Sequence, residues 1–304
     1  MTHDPFGGTF PAMTTPFRDD AELSIDFETL GDHARRLVEG GVDGLVPVGT
    51  TGESATMTHD EHIEVVAATV DAVADYDVPV IAGAGSNNTR ESRRLARRAA
   101  DAGADGLLLI SPYYNIPEPA GMEAHFRAVA DAVDLPQIIY NVPGRTGRNI
   151  DVETAVSLAS HENIVGYKAA SGDMNRICEV IERTAADSFG VFSGDDALTL
   201  PVVATGGVGT ISVAANVEPR RTSEMVEAAR ADEMDRARRR HRELGPLFRE
   251  LFVRTNPIPV NEACGIRGYH DARMRAPLSR LSDTEREALR RVLEALEPLP
   301  EAGA

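Results

Sequence analysis

The chain has 304 residues, 42% hydrophobic and 26% charged, with a formal net charge of −17. That length fits one large α/β domain, the balance excludes disordered, collagen-like and membrane-spanning classes, and the acidic excess disfavours nucleic acid or an anionic membrane as partner. Its two cysteines, Cys178 and Cys264, lack Cys-x-x-Cys or Cys/His spacing, so neither a disulfide framework nor a zinc site is expected.

In chain order, the opening Met-Thr-His-Asp-Pro has none of the basic and apolar character of a signal peptide, which predicts a cytoplasmic protein. Residues 8–17 read as a strand ended by Pro16. A helix over 26–39 follows, with Phe27, Leu30, Ala34, Leu37 and Val38 on one face. Gly40-Gly41 stops it, and 42–49 is the second strand. The unit then recurs: helix 60–75, strand 78–84, helix 89–102, strand 106–111, helix 120–133, strand 137–140, helix 151–160, strand 164–168, helix 173–183, strand 190–193, helix 196–205 and strand 208–213. Glu39-Gly-Gly-Val-Asp-Gly-Leu-Val46 resembles Asp101-Ala-Gly-Ala-Asp-Gly-Leu-Leu108, so even the joints repeat. Eight βα units predict a (β/α)8 TIM barrel. The competing doubly wound sheet lacks its Gly-x-Gly-x-x-Gly turn.

From Glu218 onward the strands stop. Helices near 219–230, 233–252, 257–264 and 284–297 predict a last barrel helix and a C-terminal helical extension, dividing the chain into 1–217 and 218–304. The arginine-rich run 236–242 is interspersed with Glu233, Asp235 and Glu243, the pattern of an ion-paired face. Residues after Pro298 read as a frayed tail. The excess of arginine over lysine and of acid over base suggests the solvated shell of a salt-adapted cytoplasm; GC-rich coding in an acidic mesophile is the blander source of the same bias.

Lys168 is the one lysine among 31 basic residues. An amine that arginine does not replace is one that must lose its proton and attack carbon. At the end of the sixth strand, desolvation lowers its pKa, and the neutral amine can form a Schiff base with a keto acid. The iminium is then an electron sink that lets the α-methyl lose a proton. Tyr140, one strand over, is the natural proton shuttle, and Thr50 a hydroxyl relay. The Thr50-Thr51-Gly52 loop can hold a carboxylate with N–H and hydroxyl groups. Arg145, in a Pro-Gly-Arg-Thr turn, offers a bidentate fork for a second one.

Gly49-Thr-Thr-Gly-Glu53, Tyr140-Asn-Val-Pro-Gly-Arg-Thr146, Gly166-Tyr-Lys168 and Gly206-Gly-x-Gly-x-Ile-Ser-Val213 together resemble the dihydrodipicolinate synthase/N-acetylneuraminate lyase family, over about residues 10–280. Within the family, Thr-Thr in the first motif and the arginine after Tyr140 most resemble the members that condense pyruvate with aspartate-4-semialdehyde on the path to lysine and diaminopimelate. The resemblance implies pyruvate bound at Lys168 and a proton relay of Thr50, Tyr140 and Tyr114, with Tyr114 reaching into a neighbouring subunit's site. It further implies Thr51 on the pyruvate carboxylate, Arg145 on that of the aldehyde substrate, and Gly194 and Ile211 lining the pocket with backbone groups. No metal or organic cofactor is implied, and the expected assembly is a homotetramer, a dimer of dimers.

Ser54, Ala55, His59, His62, Asn87, Glu91 and Tyr113 match the pocket in which L-lysine inhibits sensitive members. A plainer role for His59 and His62 is to open an exposed helix after the Thr58 cap. Three departures stand out: Ala169 where a glutamate is usual, Asn115-Ile-Pro-Glu-Pro in place of Asn-Lys-Pro-x-Gln, and Asn261 where a lysine usually ends the Asn-Pro-x-Pro motif. The first removes a carboxylate next to the nucleophile. A 2-keto-3-deoxy sugar-acid aldolase of the same family is the nearer alternative, and a catalytically silent ligand-binding barrel is the alternative of another class.

Overall fold

The computed structural model describes residues 6–296. Repeated βα units build a curled, all-parallel sheet of seven strands. The elements run β1 (Gly8–Pro11), α1 (Phe27–Glu39), α2 (His59–Ala72), β2 (Ile81–Gly83), α3 (Thr89–Asp101), β3 (Gly106–Ile110), α4 (Pro119–Ala130) and β4 (Gln137–Asn141). They continue with α5 (Pro143–Thr146), α6 (Val152–Ala159), β5 (Ile164–Ala169), α7 (Met174–Thr184), β6 (Gly190–Ser193), α8 (Thr199–Ala204) and β7 (Gly209–Ser212). The order across the sheet is β1-β7-β6-β5-β4-β3-β2.

The predicted second strand, 42–49, is a correction: only Val46 bridging Ala12 and Leu45 bridging Val80 pair in β fashion. The segment nevertheless lies between the two sheet edges. Val46 donates to Pro11 O and Asp43 to Thr9 O on one side (both 2.9 Å), while Ile81 donates to Leu45 O (2.8 Å) on the other. A regular ladder fails because Pro47 has no N–H and Val48 turns to φ 50, outside the β region. The first strand likewise ends at Pro11, short of the expected residue 17.

Helix starts follow local chemistry. Asp26, Thr58, Asn88, Asp151 and Asp173 each accept a first-turn N–H, with a full capping box at Thr58 and Glu61. Strand side chains alternate between two cores. Leu107, Leu109, Ile139 and Tyr167 pack outward beneath the helices, whereas Phe10, Leu108, Ile138, Phe192 and Ile211 fill the interior. Phe10 plugs it by edge-on contacts to Phe6 and Phe192, with centroids 6.1 and 5.8 Å apart. The strand ends above this plug are left for chemistry.

Beyond β7 come α9 (Pro219–Arg230), α10 (Met234–Glu250), α11 (Ile258–Arg267) and α12 (Asp283–Ala295), whose apolar faces form a separate cluster around Leu244, Leu247, Val260 and Leu289. The arginine run on α10 is ion-paired: Arg236 to Glu227 and Glu233, Arg238 to Asp235, Arg240 to Glu224 and Glu243. The predicted tail after Pro298 lies outside the described residues. Among those residues, no helix is long and apolar enough to cross a membrane.

Candidate active site

Lys168 stands on β5 opposite Tyr140 on β4 and Phe192 on β6. Alternation turns it into the interior, where it is 5% exposed, with Nζ 4.2 Å from the centre of the Tyr140 ring. Burial lowers its pKa to about 7, against the raising charge of Asp196 and with a smaller lowering from Arg145. A solvated lysine is protonated at neutral pH; desolvation shifts this one toward the free amine, the form that attacks carbon. Gly194 packs against the lysine stem. A Cβ there would lie 2.9 Å from Lys168 Cε, so glycine is what lets the amine lie in place, while its N–H donates to Ala169 O at 2.7 Å.

Burial pushes the Tyr140 phenol up to about 12, with Arg145 opposing. Its hydroxyl therefore keeps its proton at neutral pH and can pass it on. Ile211, fully buried on β7, joins Tyr140 and Phe192 in the wall of the interior.

The Thr50-Thr51 turn follows the irregular segment 43–47. Thr50 is half-buried, and Thr51 is 2% exposed with its Oγ1 accepting from Asn256 Nδ2 at 3.0 Å. Arg145 lies in the short helix α5 rather than an open turn, and its Nη2 donates to the Asn256 carbonyl at 2.7 Å. Asn256 thus ties the two proposed carboxylate holders together, although sequence reasoning passed over it. Asn256-Pro-Ile-Pro marked the place, but the partners are 205 and 111 residues away. Asp196, read only as a helix start, is a second such residue. It is buried, its charge acts on Lys168, it is bonded to the Ser212 hydroxyl and to the N–H groups of Val213 and Ala214 (3.1 and 3.0 Å), and burial raises its carboxyl to about 6.

The structure does not bring every expected residue to this cluster. Tyr114, on the loop after β3, is 91% exposed at φ 68 and stands outside it. Ala169 corrects an expectation: it points away from Lys168 into the helix-facing core and is 1% exposed, so its replacement of glutamate takes no carboxylate out of the pocket.

Some of the residues expected of a lysine pocket lie together. His59 Nε2 lies 3.1 Å from Glu91 Oε1, the Ser86 hydroxyl bonds the other Glu91 oxygen, and Tyr113 is raised by burial and by the Glu91 charge. Asn87 accepts Asn115 Nδ2 through its carbonyl at 2.9 Å, and Ser54 and Ala55 open the adjoining 3-10 turn Ser54–Thr56. His62 departs from both expectations. Its ring is buried and Nε2 bonds Gly83 O at 2.6 Å, so it neither faces solvent nor offers that nitrogen to a ligand.

A model described as the dihydrodipicolinate synthetase family matches residues 5–296. The chain is 71% identical over 297 residues to a 4-hydroxy-tetrahydrodipicolinate synthase of Natronomonas pharaonis, covering 98% of this chain and 100% of that protein. It is 63% identical over 297 residues to a protein of the same description from Haloarcula marismortui, covering 98% and 96%. Among solved structures, the chloride-inhibited dihydrodipicolinate synthase of Acinetobacter baumannii complexed with pyruvate superposes at a TM-score of 0.92, with 39% identity over 95% of this chain and 98% of that one. The lysine-bound DHDPS of Cyanidioschyzon merolae gives 0.91 and 39%, over 96% and 98%.

Proposed function

The chain belongs to the dihydrodipicolinate synthetase family, and from that membership together with the geometry around Lys168 we infer its reaction. It is a Schiff-base lyase that condenses pyruvate with aspartate-4-semialdehyde to 4-hydroxy-tetrahydrodipicolinate, on the way to lysine and diaminopimelate. The observation that carries this is the buried amine of Lys168, held near neutrality with its Nζ against Tyr140. Nζ attacks the keto carbon of pyruvate, water leaves, and an iminium forms. Loss of a methyl proton gives the enamine, whose carbon attacks the aldehyde while the aldehyde oxygen takes a proton; the amine of the semialdehyde then attacks the iminium carbon, closing the ring and releasing Lys168 as the free amine. Tyr140 and Thr50 carry the protons. Thr51 holds the pyruvate carboxylate and Arg145 that of the semialdehyde, while Gly194 and Ile211 wall the pocket.

The barrel is read as (β/α)8, with 43–47 as an irregular second strand; its hydrogen bonds to both sheet edges support this. We read the chain as divided at 217/218 into a barrel core and its last helix with the extension, a division supported among the described residues by the separate apolar cluster of the C-terminal helices. The exposed Tyr114, beside exposed Tyr113 and Ile116, supports a site completed by a neighbouring copy in a homotetramer. The pairing of His59 with Glu91 supports L-lysine as an inhibitor, Glu91 meeting its amine. The acidic composition and the Haloarcula and Natronomonas relatives support a salt-adapted cytoplasmic enzyme.

Arg145 argues against a sugar-acid aldolase, since glyceraldehyde has no carboxylate to occupy its fork. The test is an assay in high and low salt with pyruvate plus either aspartate semialdehyde or glyceraldehyde, alongside borohydride trapping with pyruvate. Turnover confined to the semialdehyde and an adduct at Lys168 are expected. Equal turnover of glyceraldehyde overturns the substrate, and no adduct overturns the chemistry.

A further inference from the structure

Glu53 is a buried carboxyl that the chemistry above leaves unused. It is 3% exposed and sits at φ 57, a left-handed conformation that side-chain-bearing residues keep only where their surroundings hold them. Its N–H donates to Thr50 O at 3.2 Å, closing the turn that carries Thr50 and Thr51, and its own carbonyl accepts from Thr56 N and Oγ1 at 2.8 and 3.0 Å. The side chain runs the other way. Oε2 accepts the backbone N–H of Arg275 at 3.1 Å, while Oε1 is buried with no partner among the described residues.

Arg275 is itself immobilised. Its guanidinium grips Glu61 at 2.6 and 3.0 Å, donates to Leu23 O at 3.0 Å and lies 4.7 Å from the centre of the Phe17 ring. The turn is therefore fastened at three places. Thr15 Oγ1 holds Gly52 O at 2.9 Å, Asn256 holds Thr51, and Glu53 reaches a fixed point 222 residues downstream, on the segment before α12.

We propose that Glu53 is a positioning residue for pyruvate capture: its carboxyl anchors the Thr50-Thr51 turn to the Arg275 backbone and so sets the donors of Thr51 where the keto-acid carboxylate binds. This rests on the reading of Thr51 as the carboxylate holder. The anchor needs an acceptor oxygen rather than a charge. Burial raises the Glu53 carboxyl to about 7 despite the Arg275 N–H and the Arg275 charge, so the site does not favour the anion. Glu53→Gln keeps the acceptor, whereas Glu53→Ala removes it.

The experiment is borohydride trapping of pyruvate by the full chain, titrated in pyruvate, beside kcat measured at saturating substrates. Glu53→Ala is expected to raise the half-saturating pyruvate about tenfold and, because Thr50 rides on the same turn, to lower kcat with it. Glu53→Gln restores wild-type values. If the alanine variant does not fold, Glu53→Asp replaces it, since aspartate tolerates the left-handed backbone but is one methylene too short to reach Arg275. Unchanged pyruvate dependence in the truncated variant, or a glutamine variant as impaired as alanine, overturns the proposal. A wild type that forms no adduct instead removes the Lys168 chemistry and the anchor's purpose with it, so the two failures are told apart.

Discussion

Tyr140 and Lys168 are register partners on adjacent parallel strands, and the lysine nitrogen sits 4.2 Å from the centre of the tyrosine ring. The ring shields the amine from water while the hydroxyl remains available for proton transfer. Tyr140→Phe keeps the shield and loses the hydroxyl. It should still form the pyruvate adduct, seen by mass after borohydride reduction, while kcat falls by about 10²-fold to 10³-fold. An unchanged kcat would show that protons travel by another route.

The amine also predicts a pH profile. In the proposed reaction deprotonated Lys168 is the nucleophile, so the rate of adduct formation should rise with pH through about 7, the value to which burial lowers the group. Asp196 opposes that lowering. Asp196→Asn should therefore move the rising limb to lower pH, read from trapping rates across pH 5–9. A limb that stays put would show that Asp196 does not govern the amine.

The proposed lysine pocket centres on Glu91, the carboxylate that His59 and the Ser86 hydroxyl already engage. Millimolar L-lysine should slow the initial rate of the wild type, and Glu91→Gln should abolish that response with uninhibited turnover retained. A wild-type rate indifferent to lysine rejects the regulatory pocket.

Two buried histidines make the fold sensitive to acid. His33 and His270 meet edge to face at 5.6 Å and share the Thr14 hydroxyl, at 3.3 and 2.9 Å. Burial lowers both pKa values, helped by the Arg36 charge. Their folded values lie below the unfolded value of about 6.5, so the unfolded chain takes up protons first as pH falls. Stability is full above that value and declines below it, by at most about 1.4 kcal/mol per pH unit for each group. His270→Gln should therefore lose less Tm, relative to wild type, between pH 7 and 5. Parallel slopes for the two proteins would clear His270 of the effect.

Ion pairing on the extension predicts a packing effect. Glu262 is fully buried and binds Arg280 and Arg286 at 2.6 and 3.1 Å, fastening the segment before α12 to α11. Both arginines are substantially exposed, so solvent screens the attraction and their charges are not stranded by its loss. Glu262→Ala should cost about 1–2 kcal/mol, through an emptied buried space and lost hydrogen bonds. Urea unfolding measures it, and no loss would mean that apolar packing alone holds α12.

Local information was legible in the sequence because it is written at short range. Helix caps such as Asp26 and Thr58, the short apolar runs of β3 and β4, and a lone lysine at a strand end need only neighbours within a few residues to be read. The strand-end rule picked out Lys168 and Tyr140, which the structure pairs across β4 and β5. The irregularity of 43–47 was hidden because its β-like pattern outweighed Pro47, and the left-handed turn at Val48 leaves no mark on composition. Asn256, Asp196 and the inward ring of His62 depended on contacts between distant segments. Which side of β5 Ala169 faces followed from register, and one residue of register reverses every side chain. Sequence alone therefore determined which groups could do the chemistry. Tertiary structure decided which of them are desolvated together, and desolvation is what brings an ordinary lysine to a pKa of about 7.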